Sequence, residues 1–255
     1  LKIIQINLED KNQVLNFIKD SNPEYIFNLS GPSSVYESYK DQSKSEESVK
    51  LIFNNLTDSL IETNNLANFF QASSSEMFGI SNNMPLHEES HFIPRSPYAK
   101  AKLRNHEKVI SLRDKYSWPI YSGIMFNHES QFRSKNYLFM KVIDAAKKIK
   151  EGKLKELTVG SLDYVRDWSY ARDTVQAILL IMQKGVSGSY VIGSGDGHKI
   201  SDLIEKVFNS FDLNYLEYVK VDNNFLREGD PEIIISNPHK IKKELNWNTE
   251  TSFEQ

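Results

Sequence analysis

A serine, a glutamate, a tyrosine and a lysine lie in two neighbouring segments at spacings that suit proton transfer. Ser74 and Glu76 belong to the segment QASSSEMFG, and Tyr98 and Lys102 belong to the segment PRSPYAKAK. Because Tyr98 and Lys102 are four residues apart, a helix would place both side chains on one face. A fixed ammonium stabilises a nearby phenolate, which lowers the pKa of the phenol and makes it a base near neutral pH. The four side chains therefore predict a site for general acid–base chemistry.

Two elements must position these side chains. Residues 68–73 have the apolar character of a buried strand, so Ser74 and Glu76 would follow its carboxyl end, where open α/β sheets bind their ligands. Ser96 is a suitable N-cap and Pro97 suits the first helical position. We therefore expect a strand that ends at the serines and a helix that begins just before Tyr98.

The rest of the chain alternates short strands with helices. We predict strands at 2–7, 25–29, 68–73, 119–126, 157–159 and 188–192. We predict helices at 10–20, capped by Asp10, and at 46–63, 98–115, 137–150, 173–184, 201–208, capped by Ser201, and 236–245. This alternation predicts an α/β fold with a parallel, doubly wound sheet. Residues 1–135 would form a Rossmann cofactor-binding domain, and 136–255 mainly a smaller, interleaved α/β substrate lobe.

Composition excludes several classes of protein. The chain has 255 residues, 39% of them hydrophobic, and a net charge of -3, which gives no sign of nucleic-acid binding. It has no cysteine, so disulfides, thiol nucleophiles and thiolate metal sites are excluded. No apolar run approaches the ~18 residues of a membrane span, and no signal peptide is visible. We expect a cytoplasmic protein.

Four blocks of sequence carry a resemblance to a known family: residues 71–79, 94–103, 122–130 (SGIMFNHES) and 166–171 (RDWSYA). In these blocks the chain resembles the extended short-chain dehydrogenase/reductases, and within them the GDP-mannose 4,6-dehydratase family. The likeness runs over nearly the whole chain. It implies a Rossmann domain, NADP as cofactor, and the conversion of GDP-mannose to GDP-4-keto-6-deoxymannose. We also expect a homo-oligomer.

The resemblance assigns roles to the residues of the site. Tyr98 would take the proton of the sugar 4-hydroxyl, Ser74 would bind that hydroxyl, and Lys102 would hold the ribose of the cofactor. Glu76 would remove the C5 proton while water leaves C6. The family more often has threonine at Ser74, but serine keeps the hydroxyl. Dehydratases that act on dTDP-glucose usually have aspartate at the place of Ser75, so Ser75 would contribute to substrate choice.

The same alignment assigns residues to cofactor and substrate. For NADP these are Asn7 and Leu8 at the adenine, Leu29, Ser30, Gly31, Pro32 and Ser33 near the nicotinamide ribose, and Lys102, His128 and Arg133. For the nucleotide sugar they are Ser75, Asn127, Arg166 and Arg227. Ser30, Gly31 and Pro32 differ from the family residues, and so do the neighbours of Arg133. Asp167 and Trp168 have the alternative of a structural turn in the core.

A glycine-rich turn, which a Rossmann fold needs to approach a pyrophosphate, is not found in the sequence. Residues 193–197 (GSGDG) follow a late strand and are interpreted as an ordinary turn. We expect the first strand, the glycine turn and the second strand to precede Leu1. If the chain is complete as given, a non-catalytic relative that binds nucleotide sugars is the alternative. An epimerase or reductase of the same superfamily is another, although Glu76 argues against it.

The segment His87-Glu-Glu-Ser-His91 matches the H-E-x-x-H zinc motif in its letters alone. That motif needs a helix to bring both imidazoles to one face. Pro85 and Pro94 flank the segment closely, so we predict a loop and no metal site.

Overall fold

Helices and strands alternate along the chain as predicted. A computed structural model describes residues 2–31, 38–39, 41–81, 83–226 and 229–255. The described helices are α1 Lys11–Ser21, α2 Gln42–Glu62, α3 Pro97–Tyr116, α4 Leu138–Lys150, α5 Ala171–Lys184, α6 Ile200–Ser210, α7 Tyr215–Tyr218 and α8 His239–Leu245. The described strands are β1 Tyr25–Asn28, β2 Asn68–Ser74, β3 Ile120–Met125, β4 Asn127–Glu129, β5 Leu157–Val159, β6 Val165–Tyr170, β7 Ser189–Ile192, β8 Gly197–Lys199, β9 Val219–Val221 and β10 Ile233–Ile234. Short 3-10 helices cover Ser75–Phe78 and Asn223–Phe225.

The main sheet has four parallel strands in the order β1-β2-β3-β7. Helices α1, α2 and α3 cover one face through a core that includes Phe53, Phe69 and Trp118. Helices α5 and α8 cover the other face through a core that includes Phe70, Ile181 and Trp247. Helices on both faces of a parallel sheet confirm the predicted doubly wound α/β fold.

Smaller sheets lie in the second half of the chain. Strands β10, β6 and β4 run parallel, β8 pairs antiparallel with β6, and β5 pairs with β9. A separate apolar core packs α4 and α6 together and includes Trp168 and Phe208. Strand β4 directly follows β3, so this part of the molecule begins at the carboxyl end of the main sheet.

Two helix starts follow their capping residues. The Oγ atom of Ser96 accepts a hydrogen bond from the N–H of Ala99 at 3.0 Å, and Pro97 is the first residue of α3. The side chain of Asp10 accepts from two N–H groups at the start of α1. Both predicted caps are confirmed, and the first of them fixes where Tyr98 stands on its helix.

Two local predictions were wrong. Residues 2–7 form no strand, because no neighbouring strand among the described residues pairs with them. Ser201 is not the cap of α6, which begins one residue earlier. Lys199 stands at the N-cap, and the carboxylate of Asp202 accepts its N–H at 2.8 Å. The bond at this helix start therefore comes from a carboxylate inside the first turn, and not from a hydroxyl that precedes it.

Candidate active site

Several of the predicted site residues lie where three parallel strands of the main sheet end. Because β1, β2 and β3 run in the same direction, their carboxyl ends meet at one edge. Leu29 follows β1, Ser75 follows β2, and Asn127 comes two residues after β3. Ligands of open α/β sheets bind at this edge.

A single turn of 3-10 helix presents Ser74 and Glu76. Ser74 is its N-cap, and its Oγ accepts a hydrogen bond from the N–H of Glu76 at 3.2 Å. The turn ends at Gly79, whose φ is +59°, and a Cβ there would collide with the carbonyl of Ile93. Only glycine fits this position. The turn keeps Glu76 at the carboxyl end of β2, while Ser75 is buried beside it.

Tyr98 is buried against this turn. Burial raises the pKa of the phenol to about 12, while the Ser74 hydroxyl lowers the pKa and the charge of Glu76 raises it further. Ser74, Glu76 and Tyr98 are therefore close enough to influence one another. The predicted lowering of the phenol pKa by Lys102 is not found, because the loss of hydration outweighs the other effects.

Lys102 lies one helical turn from Tyr98 and is 5% exposed. Its Nζ atom donates to the carbonyl of Ala72 at 2.9 Å and stands 5.7 Å from the centre of the Tyr98 ring. Burial lowers the pKa of the ammonium to about 8. The predicted pairing of a phenol and an ammonium on one helix face is confirmed, but the ammonium bonds to the backbone of β2.

Arg133 reaches the same region from the segment after β4. Its Nε atom lies 3.5 Å from Oε2 of Glu129, and its guanidinium stacks 3.6 Å from the centre of the Tyr137 ring. The charges of Arg133 and Tyr137 both influence Tyr98. Burial raises the pKa of Glu129 to about 7, an effect that Arg133 partly offsets. Nε and Oε2 are both buried without a hydrogen-bond partner, so this ion pair lacks the hydrogen bonds that a bound polar ligand would supply.

His128 and Asn127 lie on β4, beside strand β6. The Nδ1 atom of His128 lies 2.9 Å from the carbonyl of Phe126, and burial lowers the pKa of the imidazole. The carbonyl of Asn127 accepts from Ser169 at 3.3 Å. Both predicted ligand residues therefore stand at the edge of the sheet where Tyr98 lies, and their roles stay predictions.

The predicted cofactor residues at the first strand fall into two places. Leu29, Ser30 and Gly31 follow β1 at the ligand edge; Leu29 is 60% exposed, and Gly31 has a φ of +105°. Asn7 and Leu8 precede α1. Leu8 packs against the apolar core of that helix layer, and its carbonyl accepts from Asn55 at 2.9 Å. Three other predicted ligand residues, Pro32, Ser33 and Arg227, lie outside the described part of the chain.

Arg166 and Asp167 make contacts that hold the structure together. The guanidinium of Arg166 is bonded to Asp230 at 3.0 Å and to two backbone carbonyls, and the side chain is 8% exposed. The carboxylate of Asp167 accepts five hydrogen bonds from Ser194, Gly195 and Ser236, which lock the 193–196 turn against β6 and β10. Asp167 therefore fits the alternative prediction, a structural turn in the core.

The zinc-like segment forms a loop, as predicted. Residues 88–90 make a turn in which Ser90 Oγ accepts from the N–H of His87 at 3.0 Å. Within the described ranges, no group of three or more histidine, cysteine, aspartate or glutamate side chains could hold a metal ion.

Comparison with known proteins decides the family. The profile of the family described as GDP-mannose 4,6 dehydratase matches residues 1–255. GDP-mannose 4,6 dehydratase 2 of Arabidopsis thaliana is 30% identical over 259 residues, covering all of this chain and 69% of the relative. The human GDP-mannose 4,6 dehydratase is 30% identical over 275 residues, covering all of this chain and 74% of the relative.

The chain belongs to the GDP-mannose 4,6-dehydratase family. The resemblance drawn from the four sequence blocks is thus confirmed by matches that extend over the whole chain.

Solved structures agree on the fold of this family member. RMD from Pseudomonas aeruginosa, complexed with NADPH, superposes with a TM-score of 0.90 at 21% identity, covering all of this chain and 86% of that one. The dTDP-glucose 4,6-dehydratase DesIV of Streptomyces venezuelae, with NAD and TYD bound, has a TM-score of 0.88 at 19% identity, covering 99% and 76%. A UDP-glucose 4-epimerase from Thermotoga maritima has a TM-score of 0.86 at 21% identity, covering 98% of this chain and 80% of that one. The shared Rossmann-like fold is therefore common to dehydratases and epimerases.

Several residues of the site were not found from the sequence. Glu129 and Tyr137, four residues either side of Arg133, have no signal in the sequence that marks them as site residues. In the sequence, Gln71 is only part of a matching block and Asn28 only part of a predicted strand. A polar residue in an otherwise apolar strand is the signal that could have identified Gln71.

Proposed function

We propose that this protein is a nucleotide-sugar 4,6-dehydratase that converts GDP-mannose to GDP-4-keto-6-deoxymannose with NADP. The proposal rests mainly on one observation: Ser74, Glu76, Tyr98 and Lys102 lie together at the carboxyl end of β2. Membership of the family whose relatives are named GDP-mannose 4,6 dehydratase supports the choice of substrate.

The residues present fit an NADP molecule at the ligand edge. The turn after β1 offers Ser30 and Gly31, and Arg133 offers a buried Nε atom without a hydrogen-bond partner. Arg133, Lys102 and His128 would hold the phosphate and ribose groups. When bound, NADP supplies the hydride acceptor and donor, and its charged nicotinamide ring would favour the phenolate of Tyr98.

Each catalytic side chain then has one task. Tyr98 receives the proton of the sugar 4-hydroxyl, and Ser74 holds that hydroxyl by a hydrogen bond. Lys102 keeps a positive charge near the phenol. The 4-keto group acidifies the C5 proton, Glu76 removes it, and the C6 hydroxyl leaves as water. The hydride that left C4 then returns to C6 and a proton returns to C5, which gives the 4-keto-6-deoxy product.

Glu76 is the residue that separates dehydration from epimerisation. An epimerase needs no base beside C5, whereas a dehydratase cannot eliminate water without one. The position of Glu76 two residues after Ser74, close enough to Tyr98 to affect its pKa, supports a dehydratase.

Substrate assays test the proposal. The protein is incubated with NADP and, in separate reactions, GDP-mannose, dTDP-glucose and UDP-glucose. Loss of water is detected by mass spectrometry, and epimers, which keep the mass of the substrate, are detected by proton NMR. We expect loss of one water from GDP-mannose. Epimers without loss of water would favour a superfamily epimerase, and binding without any product would favour a non-catalytic relative.

We further propose the arrangement of the whole protein. Residues 1–135 would bind the cofactor and 136–255 mainly the nucleotide sugar, in the cytoplasm. None of the described helices is both long and apolar enough to cross a membrane. Val175 and Leu179 lie one turn apart on α5 and are 52% and 44% exposed, which supports a homo-oligomer. Sedimentation of the purified protein tests the oligomer.

A further inference from the structure

A chain of buried hydrogen bonds joins Lys102 to the turn after β1. The side chain of Asn28 accepts from the Oγ of Ser30 at 2.5 Å and donates to Oε1 of Gln71 at 2.8 Å. The Nε2 atom of Gln71 donates to the carbonyl of Ala72 at 2.9 Å, and Nζ of Lys102 donates to the same oxygen at 2.9 Å. The Gln71 amide therefore stands between the turn and the ammonium.

Three members of this hydrogen-bond chain are removed from water, and Ser30 is partly buried. Gln71 is 1% exposed, and Asn28 and Lys102 are each 5% exposed. A carbonyl oxygen has two lone pairs, so Ala72 can accept from both the amide and the ammonium. Buried polar groups must be bonded, and the amide satisfies Asn28 on one side while sharing the acceptor of Lys102 on the other.

Packing alone does not call for an amide at this position. Gln71 lies in β2, whose neighbouring side chains include Phe69 and Phe70, both fully buried. An apolar side chain would fill this volume without the cost of burying a polar group. The strand partner of Gln71 on β1 is Asn28 and on β3 is Ser122, so a polar row crosses the sheet just before its ligand edge.

We infer that Gln71 is a positioning residue, which directs the ammonium of Lys102 and links it to the Ser30 turn that would hold the cofactor. The inference rests on the proposed function, since Lys102 and Ser30 have their roles only there. Gln71 acts through these two residues. Its amide fixes the Ala72 carbonyl as the resting partner of Lys102, so that the ammonium faces Tyr98 from one defined direction.

The first test replaces the amide by an apolar group of similar length. Gln71→Met removes both hydrogen bonds, and Ser122→Ala is the matched control, because Ser122 is the β3 neighbour of Gln71 and is equally buried. We expect kcat to fall about 10- to 100-fold in Gln71→Met, as for a small misplacement of a catalytic group, while KM for the nucleotide sugar stays within about threefold. A kcat for Gln71→Met within twofold of the control would overturn the inference.

The second test needs no turnover. Gln71→Glu keeps the size of the side chain, and its protonated form keeps both hydrogen bonds, whereas its ionised form puts a negative charge beside the ammonium. The titration of Lys102 is followed by NMR in protein labelled with 13Cε-lysine, with Lys102→Arg to assign the signal. We expect the proton affinity of Lys102 to rise about tenfold or more in Gln71→Glu and to stay within about twofold in Ser122→Ala.

The two tests separate this inference from the proposed function. An unchanged Lys102 titration in Gln71→Glu would show that Gln71 does not act on the ammonium, whatever the protein catalyses. If instead the titration moves as expected while no nucleotide hexose loses water, the positioning contact stands and the dehydratase assignment fails. Gln71→Glu also covers the case in which Gln71→Met does not fold, because its acid form preserves the native hydrogen bonds.

Discussion

The ammonium of Lys102 lies over the ring of Tyr98, 5.7 Å from its centre, while its hydrogen bond goes to the carbonyl of Ala72. This arrangement follows from their separation of four residues on α3, which places both on one helix face. The ammonium therefore lies over the ring face of the phenol but makes its hydrogen bond to the backbone of β2. Because burial keeps the pKa of Tyr98 at about 12, the phenol needs a further positive charge or a bound ligand to become a base.

Replacement of Tyr98 by phenylalanine tests its role as the base. Tyr98→Phe keeps the ring and its packing but removes the proton acceptor, so oxidation at C4 should slow by about 10² or more. The measurement is single-turnover formation of reduced NADP. Tyr116→Phe, at the far end of the same helix, is the control and should change the rate little. Near-normal oxidation by Tyr98→Phe would contradict the assignment.

The buried His106 predicts a loss of stability in acid. Its Nδ1 lies 2.7 Å from Ser122 Oγ, and burial lowers its pKa from 6.5 to about 4. The folded state thus disfavours the imidazolium, so stability is complete above pH 6.5 and falls as the pH drops toward 4, by up to about 3 kcal/mol. Urea unfolding of wild type and His106→Gln across this range measures the effect. The exposed His91→Gln should show the wild-type dependence of unfolding free energy on pH. The same dependence in His106→Gln would contradict the prediction.

Glu129 predicts that stability changes with pH in the opposite direction, over a pH range that overlaps the range for His106. Burial raises its pKa from 4.5 to about 7, so the folded state favours the neutral acid. This contribution to stability is present below pH 4.5 and is lost as the pH rises through 7, by about 3 kcal/mol at most. The difference in unfolding free energy between wild type and Glu129→Gln should therefore change with pH in that direction. Glu47→Gln, at an exposed position, should show no such change, and a flat difference for Glu129→Gln would rule out the shifted carboxyl.

Variants of Arg166 distinguish a role in holding the fold together from a role in binding the substrate. Arg166 forms a buried ion pair with Asp230, and the two side chains are 8% and 11% exposed. Arg166→Met removes the cation from this buried ion pair and should cost about 3–5 kcal/mol of unfolding free energy, part of which Asp230→Asn in the same protein should restore. If the double variant recovers its stability but not its KM for the nucleotide sugar, Arg166 is a substrate ligand. If both recover, it is an anchor.

Much of the fold was predictable because its signals are local. Ser96 and Pro97 mark the start of α3 by capping chemistry, and this start was placed correctly. The segment 2–7 shows the limit: its residues suit a strand, but a strand exists only with a partner, and composition contains no information about partners. Strands β4, β8, β9 and β10 have two or three residues each, too few for alternation to be read; β5 is equally short and was predicted from its apolar, β-branched residues rather than from periodicity.

The site was predictable only where the sequence itself carries the chemistry. Tyr98 and Lys102 were found because their spacing on one helix defines their geometry. The pairing of Arg166 with Asp230 spans 64 residues, and the contact of Lys102 with Ala72 spans 30. Such partners depend on how strands and helices pack together, which no local pattern contains. The pKa of Tyr98 could not be predicted for the same reason, since burial decides it.

The last prediction concerns Glu76 as the base that removes the C5 proton. Glu76→Gln keeps the size and hydrogen bonding of the side chain but cannot accept a proton. Ser74, Tyr98 and Lys102 remain, so oxidation at C4 should proceed while elimination across C5 and C6 fails. Reduced NADP should then accumulate, or C4 should be reduced again, and deuterium at C5 should be retained. Absorbance of the reduced cofactor and mass spectrometry of C5-deuterated substrate measure both effects.

The exposed Glu107→Gln serves as the control for Glu76→Gln, because it removes one carboxylate from α3 at a distance from the turn after β2. It should exchange C5 hydrogen and release product at the wild-type rate. If Glu76→Gln also does so, another residue must be the base. An alternative carboxyl at this edge is Glu129, whose pKa is raised to about 7, a value suited to a general base. The double variant Glu76→Gln/Glu129→Gln would then decide between them, since only the loss of the true base abolishes exchange at C5.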